Sequence, residues 1–546
     1  MIEIMTDLES NTFYLQFPYN RQLIEIVKMI DGRKWNPVLK LWEVPASPAY
    51  ANMIDRTLHD QRYTGDAAFQ AMLTKHTEGI AIRHEPTPTF RETCTPCFQH
   101  QLLGLDLTLN RDAIYLAWMM GVGKSKTVVD TAGLLHLQRT LILCPKSVVG
   151  EWPRQFITHG HTYGIRCIAL ARDSVDKRTR VAQKALTMGP TALVINYEAA
   201  WMEPFGDWAL SQQWDLVVCD EATKIKSGKA RVSKFVHKLA AKATKRICLS
   251  GTPIPNNPLD LWSQCKFLDV GLFGSSFVAF RSRYSIMGGF QNKQVLAFRN
   301  LDELNRRFYE IAHRVTKEEC LDLPETMDET REIELGADGV RHYKEMEGQF
   351  YARVDEGSIT LANVLVESVR LQQLTGGVVQ YDEKDTTTEI DTSKASALGD
   401  IMEDLPQTEP LVVFCRFRPD LDVIHRVAKE HDRVSYEISG RKHQLEEWRS
   451  GDPNATVLAV QIQAGGLGID LTRARYAVYY SQDWSFGVYE QSKSRLHRQG
   501  QRNAVTYYHL LALCAGRKTI DHHIYKALAK KGNVATEILT GRPGNP

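Results

Sequence analysis

The sequence predicts an α/β protein: two parallel-sheet lobes, helical insertions between them, and a small α+β domain at the N-terminal end. Three observations predict it. Short apolar runs recur from about residue 113, namely "AIYLAW", "TLILCP", "ALVINY", "WDLVVCDEA" and "RICLSGTP". Runs without alternation belong to strands buried on both faces, and the helix-like stretches between them supply parallel crossovers. A second series begins near 410, with "PLVVFC", "ATVLAVQ", "YAVYYSQDW" and "VTYYHLLAL", so there are two such sheets. Finally, the unusual residues sit just after the runs, at the carboxyl ends where open α/β sheets bind ligands.

The chain of 546 residues has room for roughly three domains. Residues 1–90 stand apart, joined to the rest through "RHEPTPTFRET". In them "FYLQF" alternates like a strand, "RQLIEIVKMI" fits a packed helix, "DGRKW" makes a turn and "KLWEVP" reads as a returning strand. Residues 95–272 form the first lobe. Residues 273–390 change character: "LDELNRRFYEIAHRV" and "ITLANVLVESVRLQQL" are helical, and "YDEKDTTTEIDT" is a loop. They read as helical protrusions plus a linker. Residues 391–546 form the second lobe.

The chemistry starts at "AWMMGVGKSKT". A plausible strand, a Gly-containing turn and a helix start together aim backbone N–H groups at phosphate. Gly121 and Gly123 keep the loop free of side chains. Lys124 can reach the β- and γ-phosphates of a nucleotide, and Ser125 can hold Mg²⁺. The usual pattern has a further glycine where Trp118 stands, which marks a variant loop. About a hundred residues on, Asp220 and Glu221 close a hydrophobic strand. Acidic groups there are costly unless they serve a cation. Asp220 is placed to hold Mg²⁺, and Glu221 to orient or deprotonate the attacking water.

Together "MMGVGKS", "DEAT", "LSGTPIPNNPLDLW", "AGGLGIDL" and "QSKSRLHRQGQ" resemble the Swi/Snf-type ATPases of helicase superfamily 2, over about residues 95–530. The resemblance implies two RecA-like lobes and ATP hydrolysis, with Mg²⁺, coupled to movement on duplex DNA. It implies that Gln101, in "FQHQLLG", reads adenine. "LCPKSVVGEW", with Pro145, resembles a region that touches a DNA strand. Ser250 and Thr252 of "LSGTP" resemble the motif that couples nucleotide to DNA. Gly466 and Gly468 resemble a turn that approaches phosphates. "EQSKSRLHRQGQ" places Gln491, Arg495 and Arg498 as in the family's last motif. Three residues apart, the two arginines share one face if helical, and they are implied arginine fingers on the γ-phosphate, worth about 10³ to 10⁵ in rate. Three departures stand out: Thr223 replaces a usual His, Asp470 an Asn or Thr, and Ser485 an Asn.

The first ninety residues carry a second resemblance. Phe17, Tyr19, Gly32, Arg33, Trp35, Lys40, Trp42, Val44 and Pro45 are spaced as in the HARP domain of annealing helicases. Arg33, Lys34 and Lys40, interleaved with Trp35 and Trp42, suit phosphates and unpaired bases. The alternative is that the tryptophans fill a small β-α-β core.

No apolar run approaches the roughly 20 residues of a membrane span, and "MIEIMTDLES" lacks a signal-peptide layout. The ten cysteines mostly lie singly in apolar runs, as reduced buried thiols do. Cys94 and Cys97 form one pair without a second ligand pair at zinc spacing. A net charge of +2 does not exclude a polyanion, because a motor can confine its basic residues to one groove. The expectation is a monomeric, DNA-stimulated ATPase that anneals or remodels forked and branched DNA, away from membranes. Its expected place is the cytoplasm of a bacterial or virus-infected bacterial cell, or a nucleus if eukaryotic. The rivals are a duplex translocase that displaces bound proteins and a catalytically silent ATP-binding scaffold for DNA repair.

Overall fold

The computed structural model describes the chain except residues 29, 31, 82–91, 172, 290–293, 321–322, 356–360, 381–386, 451–455, 464–468 and 541–546. It has two compact units, one built on Met1–Cys320 and the other on Leu321–Val534.

The first unit opens with a five-stranded sheet in the order Lys34–Asn36, Leu41–Pro45, Thr12–Gln16, Ile2–Asp7, Tyr63–Gly65. Only its last pair is parallel. Ile2, Ile4, Phe13, Leu15 and Val44 face one core with Val27, Ile54, Leu58 and Phe69 from the helices. Alternate residues face water, as in an antiparallel sheet covered on one side. The helices are capped by local chemistry. The Asn20 side chain accepts the N–H of Gln22 and Leu23 to start Arg21–Val27, and Ser47 with Pro48 starts Pro48–Leu58. The additional strands Ile2–Asp7 and Tyr63–Gly65 extend this domain beyond the expected strand–helix–strand core. Helix Pro48–Leu58 packs on Val270–Phe273, and Arg56 forms an ion pair with Glu310 at 2.5 Å. The domain is thereby seated on the lobe that follows it.

That lobe is a seven-stranded parallel sheet. Its order is Ala312–Val315, Ala113–Trp118, Ala243–Leu249, Trp214–Asp220, Arg139–Cys144, Thr191–Asn196, Arg166–Leu170. The five apolar runs form the five inner strands. The two edge strands, Ala312–Val315 and Arg166–Leu170, are short and partly exposed, so their apolar signal is weak.

The second unit repeats the plan in the order Thr326–Glu334, Val505–Cys514, Tyr476–Tyr479, Leu411–Cys415, Val457–Gln461, Ser435–Ile438. All these pairs are parallel, and Arg517–Lys518 adds an antiparallel tail. The sheet is buried on both faces by two clusters, one around Val413, Ala459 and Val478, the other around Phe414, Leu458 and Trp448.

Residues 273–390 do not stand as a segment of protrusions and linker. Ala312–Val315 is an edge strand of the first sheet, and Thr326–Glu334 runs in register with Val505–Cys514 as an edge of the second. The division falls between Cys320 and Leu321. Residue patterning missed this because "TMDETREIE" is a charged edge strand, whose outward face must not be apolar. The two expected helices are present as Leu301–Phe308, shorter than expected because Ala312–Val315 is a strand, and Leu361–Thr375. Ala337–Asp355 is a further helix that begins in "GADGV", which reads as a loop, and Ser285–Gly288 pairs with Gln294–Phe298 as a hairpin. Among the described residues, no helix is long and apolar enough to cross a membrane.

Candidate nucleotide-binding site

Strand Ala113–Trp118 leads through residues 119–123 into helix Lys124–Leu134. Gly121 and Gly123 have φ of 87° and 88°, a left-handed backbone that L side chains resist. Gly123 caps the helix without a side-chain hydrogen bond. The first-turn N–H groups and the helix dipole therefore point at one place, which favours an anion. The Lys124 ammonium folds back over this loop and donates to the carbonyls of Trp118 at 2.8 Å and Met119 at 3.1 Å.

Gln101 sits in helix Gln99–Asn110, only 4% exposed. Its Oε1 accepts the Phe98 N–H at 3.1 Å, and its Nε2 donates to the Val122 carbonyl at 3.2 Å. His100 Nε2 donates to the same carbonyl at 2.8 Å. A Cβ at Gly123 would stand 2.1 Å from Gln101 Nε2. Gln101 is thus clamped to the phosphate loop. A carboxamide offers two donor and two acceptor positions, and these bonds use one of each.

Asp220 ends strand Trp214–Asp220, separated from the loop's strand by Ala243–Leu249 alone. It is 8% exposed. Burial pushes its carboxyl up to about 7, and the neighbouring Glu221 adds to this. Lys124 and the Trp152 hydrogen bond pull the other way. Such a carboxyl pays for its charge unless a cation compensates it. Trp152 Nε1 donates to Asp220 Oδ2 at 3.1 Å, and the Tyr197 hydroxyl donates to the Asp220 carbonyl at 2.8 Å. The next residue, Glu221, has φ of 53°. A non-glycine residue in that region is strained, and such strain collects at functional sites.

The third element packs onto the loop itself. Ser250 is fully buried, and its Oγ accepts the Thr252 N–H at 3.2 Å. A Cβ at Gly251 would lie 3.3 Å from both the Met120 nitrogen and the Trp118 carbonyl, so "LSGTP" meets the phosphate loop backbone to backbone. Pro145 follows strand Arg139–Cys144 and starts the turn into helix Glu151–Gly160, which carries Trp152, the Pro145 carbonyl accepting the Val148 N–H at 2.9 Å. Gln101, Gly121, Gly123, Lys124, Asp220 and Glu221 thus gather at the carboxyl end of one sheet, with Ser125 opening the helix.

Trp152, Tyr197 and His100 were not foreseen from sequence. They touch the site through single hydrogen bonds across the fold, and no local pattern marks such a partner. Cys94 and Cys97 lie nearby with separate partners. Cys94 Sγ is 2.6 Å from Thr162 Oγ1, and Cys97 accepts from Lys126 Nζ at 2.9 Å. Lys126 in turn forms a buried ion pair with Asp130 at 2.5 Å.

In the second unit, Gln491 and Arg495 lie on helix Phe486–Leu496. Arg498 does not. The helix ends at Leu496, and Arg498 falls in the bend beyond it, so a shared helical face no longer describes the two arginines. Arg495 is 5% exposed. Arg498 is half-buried, and its Nε has no hydrogen-bond partner among the described residues. Ser485 is the helix cap, accepting the Val488 N–H, and Ser caps a helix about as well as the usual Asn. Asp470 Oδ1 accepts the N–H and hydroxyl of Thr472, a local turn function. Gly466 and Gly468 lie outside the described residues.

In the N-terminal domain the basic and aromatic residues separate. Arg33 donates to the Ile30 carbonyl at 2.8 Å, and Trp42 packs against the core. Lys34 and Lys40 are exposed, and Trp35 is 50% exposed. The two tryptophans lie cross-strand, with ring centroids 5.3 Å apart.

With this geometry in place, comparison with known families is decisive. A model of the SNF2-related domain matches residues 25–381, and one of the helicase conserved C-terminal domain matches residues 393–500. The chain belongs to the SNF2-related family. It is an ATP-dependent, helicase-like enzyme. Among curated relatives, a SWI/SNF-related matrix-associated actin-dependent regulator of chromatin subfamily A-like protein 1 homolog from Caenorhabditis elegans is 25% identical, over 96% of this SNF2-family chain and 74% of that protein. An uncharacterized ATP-dependent helicase of Mycoplasma genitalium is 24% identical, over 78% of this chain and 40% of its own length. Among solved structures, the Sulfolobus solfataricus SWI2/SNF2 ATPase core in complex with dsDNA is 22% identical with a TM-score of 0.39, covering 82% of this chain and 97% of that one.

Proposed function

We propose that this SNF2-family enzyme couples ATP hydrolysis to movement along duplex DNA, and that its N-terminal domain directs it to forked or branched DNA, which it anneals or remodels. The observation that carries the motor half is the assembly of Lys124, the two loop glycines, Asp220 and Glu221 at one sheet end of a SNF2-family chain. Lys124 exchanges its two loop carbonyls for the β- and γ-phosphates, whose full charges are stronger acceptors. The residues present fit Mg²⁺: Ser125 and Asp220 would hold it, and burial of Asp220 makes a compensating cation favourable. Bound there, Mg²⁺ supplies charge neutralisation at the phosphates. Glu221 orients and deprotonates water. Gln101 uses its remaining donor and acceptor for adenine. Arg495 and Arg498, with Gln491, serve the γ-phosphate. Pro145, Ser250 and Thr252, with Gly466 and Gly468, pass the nucleotide state to DNA.

The N-terminal half of the reading is supported by coverage. The C. elegans relative spans 96% of the chain, so most of residues 1–90 lie within the matched length wherever the gap falls. Of the residues that carry the HARP resemblance, Trp35 and Lys40 are exposed, and the neighbouring Lys34 is exposed beside them. The test uses ATPase and annealing assays on single-stranded, duplex, forked and four-way DNA, with the full chain and with residues 1–90 removed. The expected result is DNA-stimulated hydrolysis in both, with fork preference and annealing lost on deletion. An unchanged fork-to-duplex ratio would make this a general duplex translocase that displaces bound proteins. Hydrolysis indifferent to every DNA would refute the motor.

A further inference from the structure

The tip of the hairpin between Lys34–Asn36 and Leu41–Pro45 is built against expectation. Turns favour polar residues, glycine and proline. Here the turn after Pro37 presents Val38 and Leu39, which are 86% and 54% exposed. The turn is held firmly. Asn36 Oδ1 accepts the N–H groups of both Val38 and Leu39 at 3.0 Å, and Asn36 Nδ2 donates to Glu43 at 2.8 Å. Lys40 closes it at φ 53°. A scattered exposed apolar side chain needs no explanation, but two adjacent ones on a pinned turn lack any folding role.

Their surroundings name the partner. Strand Thr12–Gln16 pairs antiparallel with Leu41–Pro45, Leu15 opposite Trp42. By that register its chain leaves the sheet at the same end as the tip, and there Tyr19 is 87% exposed. Trp35 is half exposed behind the tip, and Lys34 and Lys40 flank it. Arg33, Lys34 and Lys40 stand against the one carboxylate of Glu43 in the stretch 32–43, and that carboxylate already accepts from Asn36. Rigid aliphatic tip, exposed rings and cations at one end of a sheet match a nucleic acid whose bases are unstacked at a branch: apolar wedges enter between base steps, rings stack on unpaired bases, and lysines meet phosphates. A purely apolar protein partner would leave the lysines without anions.

We infer that Val38 and Leu39 form a wedge that enters a DNA branch point, with Trp35 and Tyr19 as stacking surfaces and Lys34 and Lys40 on the flanking phosphates. The inference rests on the proposed fork preference and adds the residues and mode that produce it.

The test uses the full chain and forked DNA carrying 2-aminopurine at the branch, whose fluorescence rises when the base is unstacked. Plain duplex and single strand are controls. Val38→Ser with Leu39→Ser keeps the turn and removes the wedge. Both residues are exposed, so folding is preserved and is verified by an unchanged duplex-stimulated ATPase. The expected result is loss of the 2-aminopurine rise and a fall in fork affinity of about tenfold, with duplex affinity unchanged. Val38→Ile with Leu39→Ile should restore both readings. Lys34→Ala with Lys40→Ala should instead lower the salt slope of fork binding by up to about two counterions and leave that of plain duplex unchanged. If the unaltered protein shows no fork preference, the functional reading fails and takes the wedge with it. If fork preference and the fluorescence rise survive in the double serine variant, the wedge alone is overturned, and the tip belongs to a protein contact.

Discussion

Replacing Gly123 with alanine tests whether the glutamine motif and the phosphate loop act as one unit. Two costs are visible. Gly123 has φ of 88°, and a left-handed backbone costs an alanine about 1–2 kcal/mol. The new Cβ would also stand 2.1 Å from Gln101 Nε2, so the glutamine must move. It then gives up its bonds to Val122 and Phe98, together about 1–2 kcal/mol. The apo loop relaxes away from this strain, and ATP must restore it, so the cost of about 2–4 kcal/mol appears as roughly 30- to 1,000-fold weaker ATP binding. In a Gln101→Ala background the clash is gone. There Gly123→Ala should cost only the backbone share, about 5- to 30-fold. Equilibrium titration with a fluorescent ATP analogue reads all four proteins of the cycle. An equal factor in both backgrounds, or full affinity in Gly123→Ala, would refute the coupling.

The remaining predictions concern turnover and stability. Glu221→Gln should hold ATP yet turn over at least about 10²-fold more slowly, and Lys124→Ala should lose comparable rate through the phosphate charge; near-normal turnover in single-cycle assays would remove either residue from its role. Arg498→Ala should lose DNA-stimulated ATPase with ATP affinity intact, whereas Arg495→Ala, at a site 5% exposed, should also lower the denaturation midpoint; a surviving stimulation ratio in Arg498→Ala would end the finger assignment. Asp328 gives a pH prediction. Burial opposes its charge, but hydrogen bonds from His509 and Lys493, with the Lys493 charge, hold its carboxyl well below its ordinary 3.8. A lowered carboxyl contributes stability that is present above about pH 4 and is lost as pH falls toward the folded value. Asp328→Asn should therefore lower the urea midpoint at neutral pH and flatten its decline in acid; a parallel pH curve would refute the linkage.

Much of the motor was legible in the residues because its chemistry is local. "GVGKS" carries its own turn and helix start, and "WDLVVCDE" carries a strand with its terminal acids. The loop glycines and the helix start that follows them depend on neighbours a few residues away. Backbone sterics and capping act over that range. The inner strands of both sheets were equally readable, since burial on both faces leaves them continuously apolar.

The tertiary structure decided what depends on residues far apart. Trp152 meets Asp220 across 68 positions of sequence, and Glu310 meets Arg56 across 254. No contiguous pattern encodes such a partner. The same holds for residues 273–390. Their edge strands are held by backbone pairing to Ala113–Trp118 and Val505–Cys514; Ala312–Val315 is too short to give a pattern, and most side chains of Thr326–Glu334 face water and so resemble loop or helix surface. Arg498 shows the limit at short range. Its spacing from Arg495 fits a helix, but the chain ends that helix at Leu496 and bends, with Gln501 Nε2 donating to the carbonyls of Thr472, Ala474 and Leu496. Spacing states what a helix would place together; distant carbonyls decide where the helix stops.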